Sequence, residues 1–240
     1  MYERYARQII IPQIGEEGQN KLAGSSVIVV GAGGLGSPAL TYLAAAGVGR
    51  LGIVDHDTIA INNLNRQFLY DTSGVGHIKV ESAKERLTGF NDEIKIEICN
   101  ERLTGKNAEN ILTGYDIALG AVDSFETRFI INKACAALCI PYIDGGITSF
   151  SGCVLFSYPP CTPCLNCIFP AKTSDKNPPG VFGATAGIIG TIEANLALLW
   201  LLKLPNPAEN KLILYDGLSM SFDFVEIKRG DGCAVCGGKT

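Results

Sequence analysis

Short apolar runs alternate with longer helical patterns along the first half of the chain. Apolar runs typical of buried strands cover residues 26–30, 50–54, 94–98, 116–119 and 141–144. Patterns typical of helices cover residues 35–46, 79–87 and 126–138. Because alternating strands and helices form βαβ units, we expect a doubly wound, Rossmann-like α/β fold with a mainly parallel sheet.

The pattern changes after about residue 145. Residues 152–158, 212–215 and 222–226 predict further strands, so we expect antiparallel strands to extend the parallel sheet. The polar span 172–180 lacks an apolar period and predicts an exposed, mobile loop. No internal repeat interrupts this order, and the chain is interpreted as a single domain, residues 1–240.

A nearly continuous apolar segment from residue 184 to residue 202 is about long enough to cross a bilayer. However, Glu193 and Asn195 lie in its middle, and Gly187 and Gly190 interrupt it. We therefore predict a helix buried in the core or at a subunit interface, with no membrane contact.

Composition narrows the class of protein. The chain has 240 residues, of which 47% are hydrophobic and 18% charged, as expected for a globular domain with a well-filled core. Its net charge of −4 provides no broad basic face, so we expect no nucleic-acid partner. No apolar signal segment stands at the N-terminus, so the nine cysteines predict free thiols or metal ligands in a cytoplasmic protein.

A glycine-rich turn connects the first predicted strand to the first predicted helix. Its four glycines are Gly31, Gly33, Gly34 and Gly36. They let the backbone approach a phosphate group, to which the helix N-terminus presents N–H groups and a partial positive charge. Asp55 ends the next strand, where a carboxylate accepts hydrogen bonds from ribose hydroxyls. These features predict a nucleotide site, and a nicotinamide-dependent oxidoreductase stays open at this point.

The polar stretch after Asp55 distinguishes between nucleotides. A dehydrogenase normally continues from this strand into a helix, whereas here Asn63, Arg66 and Gln67 stand close together, with Lys79 a little later. Arginine and lysine side chains that converge on a glycine loop suit a triphosphate better than a dinucleotide. The alternative is that both cations are solvated surface charges.

Five features occur in an order that is typical of one family. They are the string Arg4-Tyr5-Ala6-Arg7-Gln8-Ile9, the glycine loop, residues 55–67, the string Gly76-His77-Ile78-Lys79-Val80-Glu81-Ser82, and two Cys-x-x-Cys pairs. Together they closely resemble the ThiF/MoeB/HesA family, bacterial relatives of the ubiquitin-activating enzymes, over nearly the whole chain. The resemblance implies ATP-dependent adenylation of the C-terminal glycine of a ubiquitin-like sulfur-carrier protein ending in Gly-Gly, as in thiamin or molybdenum-cofactor biosynthesis.

The resemblance also implies roles for individual residues. It implies nucleotide contacts for the four loop glycines, Asp55, the run Asn62, Asn63, Leu64, Asn65, Arg66 and Gln67, and for Lys79, Asp123 and Ser124. Gly34 would lie beneath the phosphates, and Asn63, Arg66 and Lys79 would grip their oxygens. Arg7 would reach into the neighbouring subunit's site, which implies a homodimer, and catalysis would use Arg7, Arg66, Lys79 and Asp123.

Asp123 follows an apolar strand, at the expected carboxyl edge of the sheet. The resemblance makes it the Mg²⁺ ligand, and a carboxylate that faces a triphosphate needs such an ion between them. The alternative is a helix N-cap, and one residue could serve as both. Ser124 replaces an asparagine common in the family, and its hydroxyl still donates one hydrogen bond.

Two Cys-x-x-Cys pairs supply the four sulfurs that tetrahedral Zn²⁺ prefers. They are Cys164, Cys167, Cys233 and Cys236. A disulfide within each pair and a pairing of Cys161 with Cys164 are alternatives, and the family favours Cys164 with Cys167. The remaining cysteines in predicted elements, Cys99, Cys135 and Cys139, are interpreted as core residues. We thus expect a nucleotide-binding half, about residues 1–145, and a carrier-binding and zinc half, about residues 146–240.

The route of the activated acyl group is less defined by the sequence. Residues 172–186 contain no cysteine, and no further domain follows Thr240, so we expect a separate sulfur donor. Cys153 and Cys161 are reserve candidates for a covalent intermediate. Adenylation of a peptide or a tRNA by the same fold, and a catalytically silent docking module, stay open as alternatives.

Overall fold

The computed structural model describes residues 3–169 and 180–237. Within them, eight strands form one sheet: β1 (Ser26–Val30), β2 (Arg50–Val54), β3 (Lys95–Cys99), β4 (Ile117–Gly120), β5 (Tyr142–Thr148), β6 (Ser151–Ser157), β7 (Lys211–Asp216) and β8 (Ser221–Glu226). The α-helices are α1 (Ala6–Ile9), α2 (Gly15–Ala23), α3 (Gly36–Ala46), α4 (Lys79–Phe90), α5 (Ala108–Leu112), α6 (Phe125–Leu138), α7 (Leu165–Ile168) and α8 (Gly183–Leu201).

The strand order is β3-β2-β1-β4-β5-β6-β7-β8. Strands β1 to β5 run parallel, and β6 to β8 continue the sheet in antiparallel fashion. The predicted fold class is thus confirmed. Strand β1 pairs with β2 on one side and β4 on the other, so the direction of winding reverses there. Ligands of doubly wound sheets bind at the carboxyl ends of the strands beside such a reversal.

Helices cover both faces of the parallel part of the sheet. Helices α3, α4 and α8 bury one core against it, with Leu40, Leu43 and Ile189 fully buried. Helices α5 and α6 bury a second core on the other face, around Leu112 and Ile131. Parallel strands buried on both faces explain why β1 and β4 read as uninterrupted apolar runs.

Most predicted elements agree with the structure to within a few residues at their ends. Strand β5 runs further than expected, to Thr148, because it pairs along its whole length with β6, from Tyr142 opposite Ser157 to Thr148 opposite Ser151. Helices α1, α2, α5 and α7 were not predicted. They have 4 to 9 residues, too few turns to establish a helical period.

Helix α8 is the one described helix long and apolar enough to cross a membrane. In the fold it packs against β5, β6 and α3, and Glu193 near its middle is completely buried. The prediction of a buried core helix is therefore confirmed. The polar span 172–180, predicted to be a mobile loop, lies outside the described residues except for Gly180.

Candidate nucleotide and metal sites

The glycine loop is pressed between the carboxyl ends of three strands. Gly31 has a φ of +101°, and its N–H donates to the carbonyl of Val54 at the end of β2. A Cβ atom on Gly31 would overlap the carbonyl oxygen of Ala121, just after β4. A Cβ on Gly36 would overlap the carbonyl of Gly31. Only glycine fits these two positions, so the loop has the tight geometry that a phosphate-binding turn requires.

Asp55 stands at the rim of this loop, as the sequence predicts. Its Oδ2 accepts a hydrogen bond from the Ala32 N–H at 2.8 Å, and its Oδ1 accepts from the Asp57 N–H at 2.9 Å. On the opposite side, the buried Tyr70 hydroxyl donates to the Ala32 carbonyl at 2.7 Å. Burial raises the pKa of Tyr70, so this phenol stays a donor. A carboxylate offers about four acceptor positions, which leaves Asp55 able to receive ribose hydroxyls.

One of the two predicted cations, Arg66, lies over the loop, and the other, Lys79, is held by Asp57 next to Asp55. The Arg66 side chain passes over Gly34, where an added Cβ would meet Arg66 Cγ at 3.2 Å. Arg66 Nη1 donates to the Asn62 carbonyl and to Asn65 Oδ1, both at 3.0 Å. Lys79 is 5% exposed, and its Nζ donates to Asp57 Oδ2 at 3.0 Å. The interpretation of Lys79 as solvated surface charge is therefore wrong, because an almost fully buried ammonium requires anionic partners.

Other residues of the polar segment 55–67 pack beside the glycine loop. Asn63 Oδ1 accepts from the Ala60 N–H at 3.1 Å and so holds the short 3₁₀ turn Ile61–Asn63, while Leu64 packs on the core. Gln67 is 4% exposed, and its amide lies beside Gly33. Its Oε1 accepts no hydrogen bond within the described structure. Buried amide oxygens are seldom left without a donor, so this one is available to a ligand or a water.

Asp123 and Ser124 follow β4 on the other side of the reversal. Ser124 is the N-cap of α6, where its Oγ accepts from the Thr127 N–H at 3.3 Å. The alternative assignment of Asp123 as the helix cap is therefore wrong. Asp123 is exposed, and its carboxylate has no hydrogen bond or ion pair to any residue that the structure describes. An unpaired carboxylate at this edge fits the chemistry of a Mg²⁺ ligand.

Arg7 lies at the opposite end of the same helix layer. Gln8, its neighbour in α1, donates to the Ala46 carbonyl at 3.1 Å and to Gln19 Oε1 at 2.7 Å. Ala46 is the last residue of α3, whose first residue belongs to the glycine loop. Since α3 has 11 residues, about 16 Å separates its ends. The exposed Arg7 is thus remote from the glycine loop of its own chain.

The four predicted metal ligands form one cluster. All four sulfurs lie within 4.8 Å of one another: Cys164 to Cys233 is 3.6 Å, Cys164 to Cys167 is 4.0 Å, and Cys167 to Cys236 is 3.2 Å. Sulfurs about 2.3 Å from a tetrahedral zinc ion stand about 3.8 Å apart, so the cluster fits zinc. These separations exclude disulfides, and the exposed Cys161 lies outside the cluster, so its pairing with Cys164 is wrong.

The loop that carries the first cysteine pair is attached to α6. Asn132 Oδ1 accepts from the Leu165 N–H at 3.1 Å, and its Nδ2 donates to Asn166 Oδ1 at 2.9 Å. Of the cysteines predicted to lie in the core, Cys135 is buried and Cys99 half-buried. Cys139 is exposed, so that prediction is wrong; it ends α6 with a φ of +54°, and its side chain points away from the core.

A group of buried charged residues next to the site was missed by sequence reasoning. Arg128 of α6, with Tyr142 and Asp144 of β5, forms a hydrogen-bonded group in the first half of β5, where Asp144 stands opposite Gly120, the last residue of β4. Glu193 of α8 packs against Gly145, where an added Cβ would meet Glu193 Cδ at 2.6 Å. Its carboxyl oxygens have no hydrogen-bond partner of normal geometry within residues 3–169 and 180–237. Burial raises the pKa of Glu193 well above its ordinary value and so favours the protonated form of this side chain.

Fold and site together define a Rossmann-type nucleotide-binding protein with a four-cysteine cluster. The chain belongs to the ThiF family, whose family model matches residues 5–235. The sulfur carrier protein adenylyltransferase of Thermus thermophilus is 42% identical, over 98% of this chain and 90% of that protein. The SAMP-activating enzyme E1 of Haloferax volcanii is 38% identical, over 98% and 88%.

Other relatives are longer than this chain or more distant from it. The adenylyltransferase and sulfurtransferase MOCS3 of Arabidopsis thaliana is 38% identical, over 98% of this chain and 52% of that protein. Among solved structures, Escherichia coli MccB has a TM-score of 0.89 at 23% identity, over 100% of this chain and 73% of that chain. The latter likeness concerns the fold alone. The predicted family is thus confirmed, whereas the individual roles of the site residues stay predictions.

Proposed function

We propose that this protein uses ATP to adenylate the C-terminal glycine of a ubiquitin-like sulfur-carrier protein. The observation that carries the proposal is the pair of cations at the glycine loop: Arg66 passes over Gly34, and Lys79 is held by Asp57, which hydrogen-bonds to the loop-contacting Asp55. Across the sheet reversal stands Asp123, whose carboxylate has no partner among the described residues. This arrangement suits a triphosphate with a divalent cation and has no counterpart in a nicotinamide site. The names of two relatives, which describe carrier adenylation and SAMP activation, support the same conclusion.

The chemistry needs no protein nucleophile. A carboxylate oxygen of the terminal glycine attacks the α-phosphorus of ATP, the bond to the bridging oxygen of the β-phosphate breaks, and pyrophosphate leaves. Arg66 and Lys79 neutralise charge on the phosphate oxygens, and Asp55 orients the ribose. Mg²⁺ held by Asp123 would add charge neutralisation at the phosphates. Lys79 must exchange Asp57 for a phosphate oxygen, and the exposed position of Asp57 makes this exchange easy.

An exposed apolar surface on the β7–β8 hairpin supports a protein substrate. Its members are Leu214, Leu218, Met220, Phe222, Phe224 and Val225, each at least 37% exposed. Strand β8 is exposed along its whole length. Phe222 and Phe224 lie on one face of the hairpin, and Leu214 and Val225 lie on the other. Exposed apolar side chains concentrated on one hairpin are typical of a protein-binding site, and this hairpin lies within the half assigned to the carrier. An acceptor the size of a small molecule would not need an apolar surface of this extent.

We also propose a homodimer in which Arg7 completes the neighbouring site. Its distance from its own glycine loop supports action on another chain. Exposed apolar side chains on the same side of the molecule support a dimer surface: Ile10, Tyr42, Phe68 and Phe90 are each at least 48% exposed. Phe68 and Phe90 line a common hollow of about 120 Å³ that a partner can fill. Equilibrium sedimentation, and exchange activity in mixtures of Arg7→Ala with Asp123→Asn chains, test this arrangement.

The adenylate passes, in this proposal, to a separate sulfur donor. Burial raises the pKa of the Cys153 thiol despite the nearby Arg128, which makes Cys153 a poor nucleophile. Cys161 is exposed but stands on the zinc side of the molecule. Intact-mass spectrometry after turnover with carrier and ATP should find no acyl or persulfide adduct on either cysteine. Four thiols at zinc-binding distance also support a reducing, cytoplasmic location.

Exchange of radiolabelled pyrophosphate into ATP, with Mg²⁺, tests the activation step directly. The acceptors are small carrier proteins ending in Gly-Gly, the same proteins truncated by these two residues, free peptides and tRNA. We expect exchange with the intact carriers alone, and its loss in Asp123→Asn. The control, Glu209→Gln, removes an exposed carboxylate just before β7, at the edge of the sheet opposite the glycine loop, and should leave exchange unchanged.

Exchange that depends on a free peptide or a tRNA would replace the carrier with another acceptor. A nucleotide that binds without any exchange would identify a docking module instead. Either result would contradict the proposed function while leaving the nucleotide site intact.

A further inference from the structure

Helix α6 is joined to β5 by a fully buried ion pair. Arg128 Nε lies 2.9 Å from Asp144 Oδ1 and 3.1 Å from Oδ2, and Nη2 donates to Oδ2 as well. Arg128 is 5% exposed and Asp144 is 0% exposed. The Tyr142 hydroxyl donates to Asp144 Oδ1 at 2.5 Å. The Asp144 carboxyl group thus receives donors from two elements, the arginine of α6 and the tyrosine of β5.

Close packing around Arg128, Tyr142 and Asp144 restricts these side chains to a single conformation. A Cβ on Gly120 would lie 2.8 Å from the Tyr142 ring, and a Cβ on Gly146 would lie 3.1 Å from Arg128 Nη2. The Arg128 guanidinium carbon also lies 4.4 Å from the centre of the Phe125 ring, in the first turn of α6. Glycines on two strands therefore make room for the tyrosine and the arginine, and a ring holds the guanidinium from the helix side.

Stability alone does not account for such a pair. Burying two charges costs solvation energy, and apolar residues of equal volume often stabilise a core at least as well. What directional, bidentate hydrogen bonds provide is a fixed orientation between the two elements that carry them. Here those elements are the last parallel strand and the helix that begins directly after Asp123 and its neighbour, the cap residue Ser124.

We propose that Arg128 and Asp144 are positioning residues, which fix the first turn of α6 so that Asp123 presents its carboxylate to the divalent cation. Four residues, little more than one helical turn, separate Asp123 from Arg128, so a rotation of α6 would displace Asp123 directly. The inference rests on the proposed function, because it adopts Asp123 as the cation ligand.

The test measures metal binding without turnover. Mn²⁺ is titrated by electron paramagnetic resonance into the protein saturated with a non-hydrolysable ATP analogue. In Asp144→Asn we expect the dissociation constant for Mn²⁺ to rise on the order of tenfold, as for other residues that orient a metal ligand. The affinity for the analogue in EDTA should change less than twofold, because the glycine loop is anchored on β1, β2 and β4.

Two milder variants keep the test decisive if Asp144→Asn folds poorly. Arg128→Lys retains the charge with fewer hydrogen bonds, and Tyr142→Phe removes one donor. Their effects on Mn²⁺ affinity should follow the order Asp144→Asn, then Arg128→Lys, then Tyr142→Phe. The matched control is Glu97→Gln, since Glu97 accepts from the Tyr115 hydroxyl at 2.9 Å and from Arg50 at 3.3 Å at the other end of the sheet. It should leave Mn²⁺ affinity unchanged.

A purely structural pair would lower thermal stability in all three variants while Mn²⁺ affinity stayed at the wild-type value, and that result overturns the inference. The variant Asp123→Asn distinguishes failure of the proposed cation ligand from failure of the positioning role. Unchanged Mn²⁺ affinity in Asp123→Asn removes the cation ligand from the proposed function. Weakened Mn²⁺ binding in Asp123→Asn, with normal binding in Asp144→Asn, overturns only the positioning role.

Discussion

The parallel and antiparallel parts of the sheet hold their functional groups by different means. In β1 to β5 the site depends on backbone contact: the turn at Gly31 and Gly36 touches the ends of three strands, with no room for a Cβ atom. In the region after β5, the strands and loops are more open, and β8 is exposed throughout. There the predicted metal site depends on the identity of four side chains that converge from two distant loops.

This difference determines which substitutions each part should tolerate. Where backbone atoms touch, any added methyl group displaces a strand end, whatever its polarity. Where side chains converge, the backbone tolerates change as long as the ligand atoms remain. The following changes test this contrast, in order of decreasing expected effect.

Gly31→Ala should have the largest effect. The new Cβ would overlap the Ala121 carbonyl, and the φ of +101° is unfavourable for alanine, so the loop must move. Because displacements of about 1 Å can slow a reaction about 100-fold, we expect at least that loss in ATP–pyrophosphate exchange. Gly105→Ala is the matched control, since nothing lies within 4 Å of its added Cβ. Equal activity of both variants would contradict this prediction, because it would show that the loop accommodates the added Cβ without loss of function.

Cys236→Ser should destabilise the molecule without a direct effect on nucleotide contacts. Loss of one ligand weakens a structural zinc site, and we expect the melting temperature to fall by about 10 °C, or a few kcal/mol for a chain of this size. Metal content by atomic absorption and thermal unfolding by circular dichroism measure the two effects. Cys161→Ser, outside the cluster, should behave as the wild type. The metal assignment would be contradicted if the wild-type protein contained no zinc, or if removing its zinc left the melting temperature unchanged.

Glu193→Gln should change how the free energy of unfolding depends on pH. Glu193 belongs to α8, which packs against both β5 of the parallel part and β6 of the antiparallel part. The folded state keeps the Glu193 proton, which the unfolded state releases above a pH of about 4.5. Wild-type stability should therefore fall as the pH rises from 5.5 to 7.5, by up to about 1.4 kcal/mol per pH unit relative to the glutamine variant. Urea unfolding at three pH values measures this difference. The exposed Glu109→Gln is the control, and equal slopes in Glu193→Gln and the wild type would refute a neutral Glu193.

Cys139→Gly should have the smallest effect, and a favourable one. Cys139 ends α6 with a φ of +54°, where glycine avoids the steric penalty of a Cβ. We expect the free energy of unfolding to increase by about 1 kcal/mol, as measured by urea titration. Cys135→Gly, inside the same helix, should instead lower stability. A decrease in Cys139→Gly would mean that its side chain contributes packing despite its exposure.

The contrast between the two parts also explains what the sequence could predict. The glycine turn, Asp55 and the paired cysteines form short local motifs, and their positions followed from strand ends and spacing. The Arg128–Asp144 pair joins residues of separate elements, and at the end of the predicted strand 141–144 an aspartate resembles any other edge carboxylate. Asp123 and Ser124 are both good helix caps, so only their backbone geometry could distinguish them.

The exposed fold elements were harder to predict for a different reason. Helices α1 and α2 are short and take their positions from tertiary contacts, such as those of Gln8 and Gln19 with the Ala46 carbonyl. The burial of Lys79 and Glu193 depends on neighbours far away in the sequence. Local patterns contain no information about these contacts.

A metal ion shared by the four cysteines would close part of the chain into a ring. Cys167 and Cys233 enclose α8, β7 and β8, so a shared metal ion would make this stretch a closed ring rather than an open tail. A protease that cuts the exposed turn at residues 217–220 would open the peptide without separating the pieces. The severed β8 would stay attached through its hydrogen bonds to β7 and through sulfur and metal, so its release would require a chelator as well as a denaturant.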